Sequence, residues 1–308
     1  MSIVLIHQRA DLNTFKELLQ KQLPDTKIEL YDEVEDPENV EFAISWKHPH
    51  GIFKEFKNLK VIASFGAGVH HILSDKALPK NIKITKIVND QLTKDMCDFV
   101  LMQCLNYIRN TPFYFKKQQM NQWEPKPYKA PKDVHVGILG LGTLGKAVAQ
   151  TLVSRNFKVS GWSNSKKDIE GVESFTKEQL SDFLQKTNIL VCLLPLTDET
   201  KGILNKNVFN KLPDKSCLIN VARGQHLVEK DLKNAIESGK IEMAYLDVFE
   251  EEPLPKANWL WENKAIILTP HVASVTKPSE VVDQLAENYK RFIDGKELKF
   301  EIDTKKSY

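Results

Sequence analysis

Residues 134–145 read Val-His-Val-Gly-Ile-Leu-Gly-Leu-Gly-Thr-Leu-Gly, an apolar β-type run leading into three glycines spaced Gly140-X-Gly142-X-X-Gly145. A strand, a tight turn and a helix start in that order form a cradle for a dinucleotide pyrophosphate. Gly140 allows the turn, Gly142 lets backbone N–H groups approach the phosphates, and Gly145 lets the helix sit close on its strand. The helix start adds free N–H donors and a positive dipole end. Both neighbours that the motif needs are present. Leu144, Ala147, Val148, Leu152 and Val153 share one helical face, and Lys158-Val-Ser-Gly-Trp162 reads as the next strand.

The 308 residues suffice for two domains with separate cores. With 43 basic against 41 acidic residues there is no basic excess of the kind that nucleic-acid binding uses. Cys97, Cys104, Cys192 and Cys217 lie in apolar patterns without paired short spacing, so buried free thiols of a reducing compartment are expected, with no disulfide frame and no metal. The apolar run in Met1–His7 is too short for a signal peptide and reads as a first strand. No segment approaches the roughly 18 apolar residues of a membrane span. A cytoplasmic protein without a membrane partner is expected.

Strand-like runs at 2–7, 27–31, 42–46, 60–64 and 82–87 alternate with helical patterns at 11–22, 51–57 and 69–75. A long helical stretch at 93–120 and the proline-punctuated connector Trp123–Pro131 follow. From 134 a second series predicts strands at 134–139, 158–162, 188–193, 216–221, 242–247 and 265–269. Its helices are expected at 143–155, 177–185, 228–238 and 279–293, the third closed by Gly239. Such alternation builds parallel sheets covered on both faces. The tail Leu298–Ile302 is expected to return to the first series.

Ligands of open parallel sheets bind beyond the carboxyl ends of the strands. Arg223, Glu252 and His271 follow three successive strand-like segments there. Singly, each has a structural alternative: a solvated loop charge, part of an acidic run, or a strand cap. Together, beside a nucleotide cradle, they form an acid, a base and an anchor suited to reducing a 2-oxo acid.

Across essentially its whole length the chain resembles the D-isomer-specific 2-hydroxyacid dehydrogenases. The matching segments are Gly137–Gly145, Leu193-Leu-Pro-Leu-Thr197, Ile219-Asn-Val-Ala-Arg-Gly224, Leu246-Asp-Val-Phe249, Glu252-Pro253 and Thr269-Pro-His271. Phe65-Gly-Ala-Gly-Val69, Ser45-Trp46, Trp162-Ser163 and Pro270-His-Val-Ala273 are similar to the glyoxylate/hydroxypyruvate reductase A branch. The resemblance implies an α/β fold of two doubly wound parallel-sheet domains. A flavodoxin-like substrate domain (1–98 and 280–308) and a Rossmann cofactor domain (99–279) would flank a cleft. It implies His271 as general acid, Glu252 as its partner and Arg223 as anchor for the carboxylate and 2-oxo oxygen, with Trp46, Ala67, Gly68 and Val69 also on the substrate. Core packing is an alternative for Trp46, and a plain strand-to-helix turn for 67–69. Gly140, Gly142, Thr143, Leu144, Gly145, Leu194, Pro195, Val221, Ala222 and Asp247 would hold the cofactor, Asp247 through the carboxamide or else by orienting the Arg223 loop.

Around the aromatic residues 113–115 and 123 the resemblance implies a homodimer through the cofactor domain, with burial inside one subunit as the alternative. His70, His71, His48 and His50 are read as ordinary surface or loop residues. The absence of a long extension after Tyr308 argues against the larger phosphoglycerate dehydrogenases. Lactate- or phosphoglycerate-type oxidation and a dinucleotide-sensing corepressor-like scaffold remain the alternative functions.

An NAD-selective site carries an acid about 20 residues past the glycines, gripping the ribose 2′-hydroxyl. Here the strand ends Trp162-Ser163-Asn164-Ser165-Lys166, without an acid at its tip. Ser163, Asn164 and Ser165 can donate to a 2′-phosphate and Lys166 can neutralise it. NADP(H) is therefore expected over NAD(H).

Overall fold

Apolar runs that alternate faces, yet are apolar on both, fold here as parallel strands covered on both sides. A computed structural model of the protein describes residues 1–7 and 12–302. The chain divides into two units, one made of residues up to Leu92 and from Thr276 on, the other of Thr93–Val275.

In the first unit β1 (Ser2–His7), β2 (Lys27–Leu30), β3 (Val40–Trp46), β4 (Val61–Ser64) and β5 (Lys83–Thr85) form one sheet in the order β2-β1-β3-β4-β5. Every pairing is parallel, and the order is the flavodoxin-like one, with its switch point between β1 and β3. Ile3, Leu5, Phe42, Ile44 and Val61 face one layer, which helices Asn13–Gln22 and Pro278–Ile293 cover with Phe15, Leu19, Val281, Leu285 and Tyr289. Val4, Ile6, Ala43 and Ile62 face the other, against Ile52, Phe53, Phe56 and Ile72. The tail pairs with β5: Ile302 N donates to Ile84 O at 2.9 Å, and Lys86 N to Phe300 O at 3.2 Å.

In the second unit β6 (His135–Leu139), β7 (Lys158–Trp162), β8 (Val172–Phe175), β9 (Ile189–Cys192), β10 (Ser216–Asn220), β11 (Ile241–Leu246) and β12 (Ile266–Leu268) are ordered β12-β11-β10-β9-β6-β7-β8. All pairings are parallel. This is the dinucleotide-binding order with one more strand at an edge, and its switch point lies between β6 and β9.

The differences from expectation are local. β8 was not expected: it is a four-residue edge strand in which only Phe175 is buried, and no helix separates it from β7. The stretch 93–120 is broken at Asn110, whose φ of 57° is left-handed, into helices Asp90–Ile108 and Thr111–Gln119. Asn tolerates that conformation, and Pro112 fits the first turn of the second helix. Helix Lys206–Lys211 was also missed, although the Asn205 side chain caps its N-terminus by accepting from Asn207 N and Val208 N. The helix expected at 51–57 is a 3₁₀ turn over Ile52–Glu55, and that expected at 69–75 shrinks to His70–Leu73. Residue 11, where the first helix was expected to start, lies outside the described residues. Gly239 follows helix Glu229–Glu237 with a φ of 76°, as a C-terminal stop should.

All four cysteines are buried and unpaired, and burial pushes the Cys192 thiol up to about 12. Among the described residues no helix is long and apolar enough to cross a membrane.

The second core rests on large fully buried rings. Phe183, from helix Leu180–Gln185, meets Phe175 with ring centroids 5.9 Å apart. Phe183→Ala is expected to destabilise the fold by about 3–5 kcal/mol in chemical denaturation. A loss under about 1 kcal/mol would contradict this packing.

Candidate active site

The glycines after β6 divide into two kinds. A Cβ on Gly145 would sit 1.8 Å from Gly140 O, and Gly140 itself has a φ of 100°. Both are dictated by the chain's own turn and helix contact. At Gly142 a Cβ would meet nothing within 4 Å, and its φ of −74° suits any residue. No contact within the chain requires a glycine there, and the backbone beside it is left open to approach from outside. The amides of Leu141, Gly142, Thr143 and Leu144 find no acceptor among the described residues. Exposed Gly142 and Thr143, half-buried Leu144 and the start of helix Thr143–Ser154 therefore fit a pyrophosphate.

The remaining residues expected on the cofactor line adjacent strand ends. Leu194 is buried and Pro195 exposed after β9, while Val221 and Ala222 are buried after β10. At the tip of β7 Asn164, Ser165 and Lys166 are exposed, and Ser163 Oγ donates to Ser165 O at 2.8 Å, shaping the turn. Fully buried His226 lies between two carbonyls, Arg223 O at 3.2 Å and Pro195 O at 3.3 Å, and so joins the loops after β9 and β10. It drew no notice in the sequence because one partner is a main-chain carbonyl three residues away and the other lies 31 residues away.

Arg223, Glu252 and His271 come together at the ends of β10, β11 and β12. Gly224 makes the first approach possible: a Cβ there would lie 1.9 Å from Phe249 C. Glu252 Oε1 accepts from Phe249 N at 3.2 Å, and both Glu252 oxygens lie 3.0 Å from His271 Nδ1. A carboxylate only accepts, so the Nδ1 position carries a proton and Nε2 faces away from Glu252. Arg223 Nη1 donates to Ala222 O at 2.5 Å, and its guanidinium forms no ion pair among the described residues. Burial draws the guanidinium pKa below its usual value and Glu252 works the other way. It stays charged, and a half-buried cation without an anion in contact is an uncompensated charge suited to an anionic ligand.

Asp247 is almost wholly buried, and its carboxylate grips the loop that carries His271. Thr269 Oγ1 donates to Oδ1 at 2.6 Å, Val272 N to Oδ1 at 2.9 Å, and Ala273 N to Oδ2 at 2.9 Å. Between them His271 takes a φ of 58°, a strained conformation for a non-glycine residue. Orienting the His271 loop is thus a task of the Asp247 carboxylate beside the carboxamide contact or the Arg223-loop role expected of it.

In the first unit Ala67, Gly68 and Val69 follow β4. Fully buried Ser64 shapes their loop, accepting from Gly66 N at 3.2 Å and donating to Gly68 O at 2.8 Å. The amides of Ala67, Gly68 and Val69 find no acceptor among the described residues, which suits a carboxylate. Half-buried Trp46 ends β3 beside this loop, its ring against Gly66 and against His71. Two of the histidines read as ordinary are not so placed. His48 is buried, and His71 packs on Trp46. Among the described residues no group of three or more His, Cys, Asp or Glu is placed to hold a metal.

A family model described as "D-isomer specific 2-hydroxyacid dehydrogenase, NAD binding domain" matches residues 101–273. The chain is also similar over its length to a D-isomer specific 2-hydroxyacid dehydrogenase from Xanthobacter autotrophicus in complex with NADPH and MES. Identity is 35% and the TM-score 0.93, covering 100% of this chain and 99% of that one. An NADPH-dependent glyoxylate/hydroxypyruvate reductase from Sinorhizobium meliloti, in complex with NADP and sulfate, is similar at 33% identity and a TM-score of 0.93, with 100% of both chains covered. A probable 2-hydroxyacid dehydrogenase from Rhizobium etli, in complex with NADP, HEPES and L(+)-tartaric acid, gives 35% and 0.91, again with 100% of both chains covered. On that breadth of likeness, the chain belongs to the D-isomer-specific 2-hydroxyacid dehydrogenases and is an oxidoreductase that uses an NAD(P) cofactor.

Proposed function

We propose that the chain is an NADPH-dependent reductase of small 2-oxo acids, taking glyoxylate to glycolate and hydroxypyruvate to D-glycerate. The observation that carries the reading is the trio itself. A half-buried arginine without a counter-ion stands at the same strand ends as a histidine fixed by both oxygens of a glutamate, with Nε2 directed away from that glutamate. The Sinorhizobium reductase supports this choice of substrates, and the NADP(H) of three similar structures supports the cofactor.

Bound NADPH supplies the hydride. Arg223 binds the substrate carboxylate and 2-oxo oxygen with its planar fork. The amides of Ala67, Gly68 and Val69 add donors to the carboxylate. His271 Nε2 gives its proton to the 2-oxo oxygen as that oxygen gains charge, while Glu252 holds Nδ1 and so fixes which way the ring faces. Oxo acid, NADPH and one proton become hydroxy acid and NADP⁺. Asp247 keeps the His271 loop in its strained turn throughout. Ser163, Asn164, Ser165 and Lys166 hold the 2′-phosphate. The exposed aromatic segment, with Phe115, Trp123 and Tyr128, supports a homodimer through this unit. A cytoplasmic location belongs to the same reading, since four buried free thiols suit a reducing compartment.

His271→Ala is expected to lower kcat about 10²–10⁴-fold with NADPH binding intact, the usual range for a lost general acid. Arg223→Lys keeps the charge but loses the fork. It should raise KM for the oxo acid roughly tenfold while leaving the Kd of NADPH alone, measured by cofactor fluorescence titration. For the cofactor, kcat/KM with NADPH should exceed that with NADH, and Lys166→Ala should narrow the gap. A higher value with NADH abandons the 2′-phosphate assignment. A panel of glyoxylate, hydroxypyruvate, pyruvate and phosphohydroxypyruvate decides the substrate, and a clear preference for either of the last two would replace this reading with a lactate- or phosphoglycerate-type one.

A further inference from the structure

Trp46 is held by more than its own strand. On Gly66 a Cβ would lie 2.7 Å from Trp46 Cζ3 and 2.9 Å from Cη2, so only a glycine leaves the indole where it is. The His71 ring meets the same indole with centroids 4.5 Å apart and planes tilted by 56°. From there the contacts continue into the core of the first unit. His48 lies 6.1 Å from His71 and 4.3 Å from Phe53, centroid to centroid, and Phe53 is fully buried.

The polar atoms of this column are tied to the backbone around it. His71 Nε2 is 3.4 Å from Ser45 O, and Ser45 Oγ is 3.2 Å from His48 Nδ1. His48 Nε2 lies 3.3 Å from Asp75 Oδ2, and the Asp75 oxygens accept from Gly51 N at 2.8 Å and Ala77 N at 2.9 Å. Burial lowers the His48 pKa against the pull of Asp75; Nδ1 shares a hydrogen bond with the Ser45 hydroxyl, while Nε2 faces the Asp75 carboxylate without completing one. A buried imidazole with fixed donors and acceptors orders its surroundings more narrowly than an aliphatic side chain of similar size.

We propose that His71 is a positioning residue for Trp46, and that the Ser45–His48–Asp75 network holds the strand end on which both depend. The indole so fixed sets how much room remains beyond C2 of the oxo acid, and thereby selects short acids over branched or longer ones. The proposal rests on the reading that Trp46 walls the substrate site. A wall that can turn aside admits an extra methylene or two, and one methylene in a fixed pocket is worth roughly tenfold or more in discrimination.

The test compares Trp46→Ala, His71→Ala and His71→Phe in the full-length enzyme. Each is assayed with glyoxylate, hydroxypyruvate, 2-oxobutyrate and 4-methyl-2-oxopentanoate, alongside direct NADPH binding. His71→Ala is expected to reduce the preference for the two short acids about tenfold, chiefly through KM, without changing the Kd of NADPH. His71→Phe restores the ring contact and most of the preference. If Trp46→Ala alters the acid profile and His71→Ala does not, the positioning role of His71 is overturned while the wall stands. If Trp46→Ala itself leaves the profile unchanged, the wall is lost and the proposal with it. A His71→Phe enzyme that folds yet discriminates no better than the alanine variant overturns the packing argument. Where His71→Ala does not fold, His71→Phe is compared with His71→Leu, which fills space without a ring, and equal acid profiles for those two overturn the same argument.

Discussion

Burial of both faces of each sheet is the constraint on which the rest of this structure depends. Strands such as Ile3–Ile6, Val136–Leu139 and Cys217–Ile219 are apolar on both sides because helices or packed turns cover both sides. Charged groups have no place along such strands, and chemistry is confined to their carboxyl ends. Trp46 ends β3, the 67–69 loop follows β4, the glycines follow β6, and Arg223, Glu252 and His271 follow β10, β11 and β12. These residues are far apart in the chain, yet all stand at the carboxyl ends of their own sheets.

Within the second unit, nearness between strand ends becomes geometry through two local devices. Gly224 lets the Arg223 loop touch the Phe249–Glu250 peptide, and Asp247 binds three donors of the 269–273 loop. The strained φ of His271 is therefore a property of its surroundings, since Asp247 holds the Thr269 hydroxyl before it and the Val272 and Ala273 amides after it. The imidazole is aimed twice, through its main chain by Asp247 and through Nδ1 by Glu252. Such redundancy suits a group that must present one particular nitrogen to an oxygen.

Much of this was legible in the sequence, and the exceptions share a cause. The alternation of strands and helices, the glycine cradle and the trio of strand-end residues all depend on neighbours within about a dozen positions. Val172–Phe175 was missed because an edge strand buried at one residue has almost no pattern to show. His48 and His71 were read as ordinary because their partners, Asp75 and Trp46, are about 25 residues away and adjacent only after β3 and β4 have paired. The hold of Asp247 on 269–273 was not foreseen, because it exists only where β11 and β12 are neighbours in the sheet. The break at Asn110 was within reach, since an asparagine two residues before a proline is a poor helix interior.

The ligands of this reading, a dinucleotide phosphate and a small carboxylate, are anions, yet the chain's net charge is only +2. Attraction at long range is correspondingly weak. The anion sites are built instead from short-range donors that carry little or no net charge. These are the amides of 141–144 and of 67–69, unpaired among the described residues, with the Arg223 guanidinium as the full charge of the proposed trio that forms no ion pair among them. Amides on rigid turns select by geometry, because a donor that cannot move rewards only an acceptor of the right shape. The same economy explains the exposed tip of β7. In the proposed reading Lys166, followed by Lys167 and preceded by serines and an asparagine, adds charge for a 2′-phosphate at an otherwise hydroxyl- and amide-rich tip, whose donors supply the direction.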